Sequence, residues 1–173
     1  IPAEFKTPTL FHKKGALAAA RMGDAENPLK ASSGCQFYIV EGKTFSDAEL
    51  DNMQTNKLRQ QENALFQEIL KTKNEEVKKY RLERNQGKLD ALRDSILLEV
   101  KNKIVADSTY KFSDKQRTIY KTIGGTPHLD GNYTVFGEVT SGIDVVEKIS
   151  KTNTGKMDRP KEDIRILKME VVK

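Results

Sequence analysis

The sequence contains a single cysteine and no run of apolar residues that approaches the length of a membrane span. Because Cys35 has no second cysteine to pair with, an internal disulfide is impossible and a cysteine-based metal site is not expected. A transmembrane helix needs about 20 consecutive apolar residues, so we predict no membrane span. His12 and His128 are isolated from each other along the chain, and we do not expect either to bind a metal.

The charged residues show little segregation by sign. Hydrophobic residues make up 36% of the 173 residues, charged residues make up 32%, and the net charge is +5. A protein that binds nucleic acid usually gathers its basic residues on one face or in one tail, whereas here Lys and Arg alternate with Asp and Glu. We therefore predict no nucleic-acid partner, and retention on heparin that falls steeply with salt would contradict this.

The amino-acid composition changes twice along the chain, at about residues 45 and 121. Residues 1–45 and 122–173 contain glycine, β-branched and aromatic residues, whereas residues 46–121 contain one glycine and no proline and are rich in Lys, Glu, Gln and Leu. This pattern indicates a β-rich domain in two parts, with a helical insertion between two of its strands.

Apolar spacing and capping patterns predict helices within the insertion. Ser46 and Glu49 form a capping box at the start of a long helix, and residues 85–87 provide the best break. A second helix follows, in which Leu89, Leu92, Ile96, Val100 and Ile104 recur every three or four residues. Together these two helices suggest a hairpin. A third, short helix is predicted from Ser113 to Lys121, stopped by the glycines at 124–125.

Outside the insertion the sequence predicts strands at 36–40 and 133–139, which are aromatic and β-branched. Residues 144–151 have the spacing of a short amphipathic helix, and residues 164–172 alternate as a final strand. The small apolar segment 15–20 fits either a short helix or a strand.

Two segments resemble the cyclophilin-type peptidyl-prolyl cis-trans isomerases. The first is Gly15-Ala-Leu-Ala-Ala-Ala-Arg21, followed after a loop by Ser33-Gly-Cys-Gln-Phe-Tyr-Ile39. The second is His128-Leu-Asp-Gly-Asn-Tyr-Thr-Val-Phe-Gly-Glu-Val139, followed by the helix from Gly142 to Glu147. The resemblance covers residues 1–45 and 122–173. With its insertion, the chain is similar to insert-bearing members of the family from bacteria. It implies a mainly β fold with α: a partial or complete antiparallel β-barrel carrying an inserted helical hairpin.

The resemblance also implies a substrate groove. It assigns the groove edge to Ala20 and Arg21, a substrate-contacting glutamine to Gln36, and the walls and rim of a proline pocket to Tyr38, Leu129 and Tyr133. Phe37 and Phe136 correspond to core positions. The family's catalytic arginine lies in a Phe-His-Arg segment that we expect upstream of Ile1, so no catalytic residue is assigned, and Lys13 is not taken as its equivalent.

The implied activity is rotation about Xaa-Pro bonds in peptides or unfolded proteins, without a cofactor. The alternative is a non-catalytic peptide-binding or chaperone-like module, built on an incomplete groove with the hairpin as its contact surface. Strand edges left exposed would favour association of copies of the chain. The compartment stays open between bacterial cytoplasm and cell envelope.

Overall fold

The computed structural model describes residues 1–106, 111–168 and 170. Within them the chain forms, in order, β1 (Ala16–Ala19), β2 (Phe37–Ile39), α1 (Asp47–Thr72), α2 (Asn74–Leu82), α3 (Gln86–Ala106), α4 (Asp114–Thr122), β3 (Val135–Glu138) and α5 (Ile143–Ser150). Short 3-10 turns occupy Pro127–Leu129 and Lys156–Asp158. The chain divides into two compact units, one made of Ile1–Thr44 with Thr118–Lys173 and the other of Phe45–Arg117.

The first unit is organised around a three-stranded antiparallel sheet with strand order β2-β1-β3. The segment that fitted either a helix or a strand is the central strand, β1. Its small side chains allow neighbouring segments to pack closely, and Ala16 and Ala18 are fully buried with Val40 and Val135. Ala18 lies opposite Tyr38 on one side and Val135 on the other, which places one of the predicted pocket residues on this buried face.

The second unit contains the predicted helices of the insertion. The capping box at Ser46 and Glu49 is present at the start of α1 and is confirmed. The long first helix is divided into α1 and α2 at Lys73, so three helices form where the hairpin interpretation predicted two. The predicted apolar positions form the core of this unit, where Leu92, Ile96 and Val100 pack with Ile69.

The predicted third helix is confirmed as α4. Ser113 caps it, because the backbone N–H of Gln116 donates to the serine hydroxyl at 3.3 Å and the Gln116 side chain accepts from the Ser113 backbone N–H at 3.0 Å. The helix stops at Gly124, whose N–H donates to Ile119 O at 2.9 Å. The predicted stop at the two glycines is therefore confirmed.

Gly125 lies where three segments of the first unit cross. It forms isolated bridges with Lys13 and Lys43, and its N–H donates to Lys43 O at 3.0 Å. A Cβ atom at this position would lie 2.1 Å from the carbonyl oxygen of His12. Only glycine allows this approach, since real Cβ contacts are never so short.

The expected mainly β fold and β-barrel are wrong for the described residues. Five α-helices and one open sheet of three strands are present, and each strand has only three or four residues. The two motif segments supply just these three strands, which are too few to close a barrel, while the polar zone 46–121 supplies most of the helix.

The predicted final strand at 164–172 is not formed by the described residues of this segment. Residues 164–168 and 170 are not in a β-strand, and residues 169, 171 and 172 lie outside the described part of the chain. Ile164, Ile166 and Leu167 are exposed, so no partner strand covers them. No helix among the described residues has the length and apolar character needed to cross a membrane.

Candidate functional site

Three aromatic rings meet on the buried side of the sheet. Tyr38 comes from β2, Tyr133 lies two residues before β3, and His12 lies before β1. The Tyr38 and Tyr133 ring centroids are 6.0 Å apart and nearly perpendicular. The His12 ring stacks on Tyr38 at 6.3 Å and meets Tyr133 edge-on at 6.5 Å. These separations fall in the favourable range for aromatic pairs, so two of the predicted pocket residues are brought together by direct contact.

Arg21 lies over one ring of this cluster, that of Tyr133. Its guanidinium carbon lies 4.6 Å from the centre of the Tyr133 ring, which is a cation–π distance. The Nε–H donates to Asn132 O at 2.8 Å, and an ion pair with Asp24 spans 2.7 Å. The Arg21 side chain is 6% exposed. These bonds hold the Arg21 guanidinium over Tyr133, the residue predicted to form the rim of the pocket.

Backbone hydrogen bonds connect Ala20, a residue predicted for the groove edge, to Gln36 and Ser33. The Ala20 N–H donates to Gln36 O at 3.0 Å, and its carbonyl accepts from the Ser33 N–H at 2.8 Å. Two predicted site residues are thus adjacent, although the Ala20 N–H is occupied within the chain. The Gln36 residue is exposed.

Leu129 is half-buried and ends the 3-10 turn that begins at Pro127. Its N–H donates to Thr126 O, and its carbonyl accepts from the Asn132 N–H, both at 3.0 Å. These bonds form a tight turn that carries Leu129 and Tyr133 at its two ends. Leu129 is therefore linked to Tyr133 by the backbone of this turn.

A buried hydrogen-bond cluster was missed by the sequence reasoning. Asp130 is 1% exposed and lies between Leu129 and Tyr133 in the turn. Its Oδ1 accepts from the His12 backbone N–H at 2.9 Å and contacts His12 Nδ1 at 2.8 Å, while its Oδ2 accepts from the Tyr120 hydroxyl at 2.7 Å. An ionised carboxylate only accepts hydrogen bonds, which makes Nδ1 the protonated nitrogen of His12. The position of Asp130 inside the second motif was the signal that could have found it.

Burial dominates the electrostatics of the two tyrosines. Burial, reinforced by the nearby Asp130 carboxylate and its hydrogen bond, raises the pKa of the Tyr120 hydroxyl well above its ordinary value. Burial also raises the pKa of Tyr38, with a smaller contribution from Tyr133. Both hydroxyls therefore stay protonated at neutral pH. The Tyr120 hydroxyl donates to Asp130, whereas the Tyr38 hydroxyl is buried without a hydrogen-bond partner among the described residues. Among the described residues no group of three His, Cys, Asp or Glu side chains is arranged to hold a metal.

The opposite face of the sheet is open. Phe37 and Phe136 are each 56% exposed, and their rings meet edge-on at 6.3 Å. Their expected core role is wrong for the described residues, because more than half of each residue remains exposed. A cavity of about 430 Å³ borders it, and of the six predicted groove residues only Gln36 is among those lining it. This cavity is therefore distinct from the ring cluster of Tyr38 and Tyr133.

Comparison with known families identifies the class of protein. The model of the family described as cyclophilin type peptidyl-prolyl cis-trans isomerase/CLD matches residues 51–171, which is more than half of the chain. The match contains the second motif and leaves out residues 1–50, where the first motif lies. The chain belongs to the cyclophilin-type peptidyl-prolyl cis-trans isomerase family, and the prediction of the family is confirmed.

Individual relatives match over about 50 residues. Peptidyl-prolyl cis-trans isomerase CYP71 of Arabidopsis thaliana is 50% identical over 52 residues, which are 30% of this chain and 8% of that protein. Peptidyl-prolyl cis-trans isomerase-like 1 of Gibberella zeae is 42% identical over 53 residues, covering 31% and 33%. The protein of the same name from Neurospora crassa is 40% identical over 52 residues, covering 30% and 32%. The match thus spans a third or less of each relative. No solved structure matches the chain with significance.

Proposed function

We propose that this chain forms the substrate-binding part of a peptidyl-prolyl cis-trans isomerase, which catalyses rotation about Xaa-Pro bonds during protein folding. The observation that carries the proposal is the ring cluster of Tyr38 and Tyr133 under Arg21. These residues come from both motif segments of a chain that belongs to the cyclophilin family. The substrates would be proline-containing peptides or unfolded proteins.

The chemistry of the reaction suits such a site. Rotation about the amide has a barrier of about 18–20 kcal/mol because of resonance, and the uncatalysed change takes tens of seconds or longer. No covalent bond is broken, so the reaction requires no nucleophile and no cofactor. A catalyst needs a dry pocket that holds the proline ring, and donors that favour the twisted amide over the planar forms.

The proposed roles are those that the resemblance of the two motif segments implies. Tyr38 and Leu129 form the walls of the proline pocket and Tyr133 forms its rim. Gln36, which is exposed, reaches the substrate backbone. Arg21 and Ala20 form the groove edge. Because the Ala20 N–H already donates to Gln36 O, its contribution is limited to the second lone pair of its carbonyl.

The catalytic arginine is proposed to lie in a segment upstream of Ile1. Among the described residues of the first unit, Arg21 is the arginine that lies against the ring cluster. Its guanidinium donates hydrogen bonds to the carbonyls of Asn132 and Met22 and forms an ion pair with Asp24. An arginine that is already bonded on several sides is poorly suited to follow a rotating carbonyl. This supports an additional arginine supplied from elsewhere in the polypeptide.

We further propose that residues 46–121 are an insertion between two parts of one domain, 1–45 and 122–173, as in insert-bearing bacterial members. The division of the chain into one unit from 1–44 with 118–173 and another from 45–117 supports this arrangement. Association of copies through the exposed edges and the open face at Phe37 and Phe136 is a related proposal.

The test is proline-isomerase activity on a short Xaa-Pro peptide, measured by NMR exchange, with and without the upstream residues of the gene. We expect Tyr133→Ala to lower kcat/KM by about tenfold or more, because the rim ring is lost. Tyr80→Ala, a matched truncation in α2, should leave kcat/KM within about twofold of wild type. Peptide binding without catalysis in the extended protein would refute the isomerase proposal and support the peptide-binding alternative.

A further inference from the structure

The Asp130 cluster joins three segments that are distant in sequence. His12 precedes β1, Tyr120 lies in the last turn of α4, and Asp130 lies in the turn before β3. All three side chains are 1% exposed or less. The Asp130 carboxylate receives hydrogen bonds from both of the other residues, on different oxygens.

This carboxylate sits inside the turn that presents the pocket residues. The N–H of Asp130 donates to Pro127 O at 3.2 Å, and the Asn132 N–H donates to Leu129 O at 3.0 Å. Gly131 has a positive φ of 75°, which bends the chain directly after the carboxylate. Asp130 is therefore part of the same short turn that connects Leu129 to Tyr133.

One of the two partners of Asp130, His12, also belongs to the ring cluster. The His12 ring stacks on Tyr38 and meets Tyr133 edge-on, so it contacts both predicted pocket tyrosines. The Tyr120 ring packs edge-on against Phe11 at 5.4 Å. Tyr120 therefore contacts the residue that precedes His12, as well as the carboxylate that His12 contacts.

We propose that His12 and Tyr120 are positioning residues for the proline pocket, acting through the Asp130 carboxylate. The inference rests on the proposed isomerase function, since it assigns these residues to the pocket of that reaction. Hydrogen bonds to a charged acceptor are directional and stronger than neutral ones. The bonds to Asp130 therefore fix the orientation of the turn that contains it. A pocket held in this way keeps Leu129 and Tyr133 in place before the substrate arrives.

The experiment compares conservative variants in the full-length protein. Tyr120→Phe removes only the hydroxyl and keeps the ring contact with Phe11. His12→Leu removes the side-chain donor to Asp130, whereas His12→Asn retains an N–H donor at a similar distance from the backbone. Tyr80→Phe, in α2, controls for the loss of a phenolic hydroxyl elsewhere.

Two readouts are measured below the melting temperature of each variant: the dissociation constant of an Xaa-Pro peptide, and the NMR resonances of the Leu129 methyl groups and the Tyr133 ring without peptide. We expect Tyr120→Phe and His12→Leu to weaken binding by about five- to tenfold and to shift these resonances. His12→Asn should restore most of the affinity, and Tyr80→Phe should change neither readout.

A merely structural cluster would give a different result. Tyr120→Phe and His12→Leu would then lower the melting temperature but leave the peptide affinity and the Leu129 and Tyr133 resonances of the folded protein unchanged, and this outcome would overturn the proposal. If the wild-type protein neither binds nor isomerises any Xaa-Pro peptide, the isomerase function fails. The peptide-free resonances still decide whether His12 and Tyr120 position the turn.

Discussion

Replacing Gly125 by alanine should destabilise the first unit severely. The added Cβ would lie 2.1 Å from His12 O, 2.8 Å from Tyr120 Cε1 and 2.9 Å from Lys13 Cα. Two of these three atoms belong to backbone that is itself bridged to Gly125, so they cannot move aside independently. The φ of 153° at this position adds backbone strain for any other residue.

The expected cost follows from these contacts. Overpacking a tight site typically costs 1–3 kcal/mol, and an unfavourable backbone conformation adds a similar amount, so Gly125→Ala should lower the free energy of unfolding by about 3 kcal/mol. That is a large part of the roughly 5–15 kcal/mol that stabilises a domain. It corresponds to about a hundredfold change in the unfolding equilibrium constant.

Native-state hydrogen exchange measures this cost in the sheet itself. The amides of Ala19 and Ala20 donate to Thr134 O and Gln36 O and should exchange roughly a hundredfold faster in Gly125→Ala. Gly23→Ala is the control, because its added Cβ meets nothing within 4 Å and should change the free energy by less than about 0.5 kcal/mol. Equal protection of Ala19 and Ala20 in Gly125→Ala and Gly23→Ala would refute the steric argument.

Two further predictions concern the core of the second unit and the ionisation of Tyr120. Ile96→Ala should lower the free energy of unfolding of the helical unit by about 3 kcal/mol, because Ile96 is 0% exposed. Leu97→Ala, at a position that is 45% exposed, should have little effect. Equal melting temperatures of the two variants by circular dichroism would contradict this prediction. Since burial raises the pKa of Tyr120 in the folded state, its stabilising effect is complete below the ordinary tyrosine pKa of about 10 and is lost as the pH rises above it. The urea midpoint should therefore fall between about pH 9 and 11 more steeply in wild type than in Tyr120→Phe, and identical slopes would show that Tyr120 does not contribute.

Local patterns identified most of the elements, and they did so for physical reasons. The reciprocal caps at Ser46 and Ser113 are encoded within four residues, and the spacing of Leu92, Ile96 and Val100 follows directly from the helical repeat. The division of the first helix at Lys73 has no glycine or proline to mark it, and it was missed. The number of strands depends on which segments find partners, so alternation at 164–168 did not suffice to make a strand.

The sequence predicted some residues of the candidate site and missed others. The family motifs pointed to Tyr38 and Tyr133, whose rings are in contact. His12 and Tyr120 were not found, because 118 and 10 residues respectively separate them from Asp130, and neither carries a pattern that specifies its partner. Phe37 and Phe136 were assigned to a core that the described residues do not build. Their burial depends on what covers the sheet, which alternation within a strand cannot determine.

The bridge between Lys43 and Gly125 places the two ends of the intervening stretch side by side. The 81 residues between them therefore form a closed loop, and backbone hydrogen bonds between Lys43 and Gly125 hold its two ends together. The entropic cost of closing a loop grows only with the logarithm of its length, by about 0.6 kcal/mol for each doubling. This junction could therefore accept segments of very different size during evolution, or in the laboratory a grafted domain, as long as both ends return to the same pair of residues.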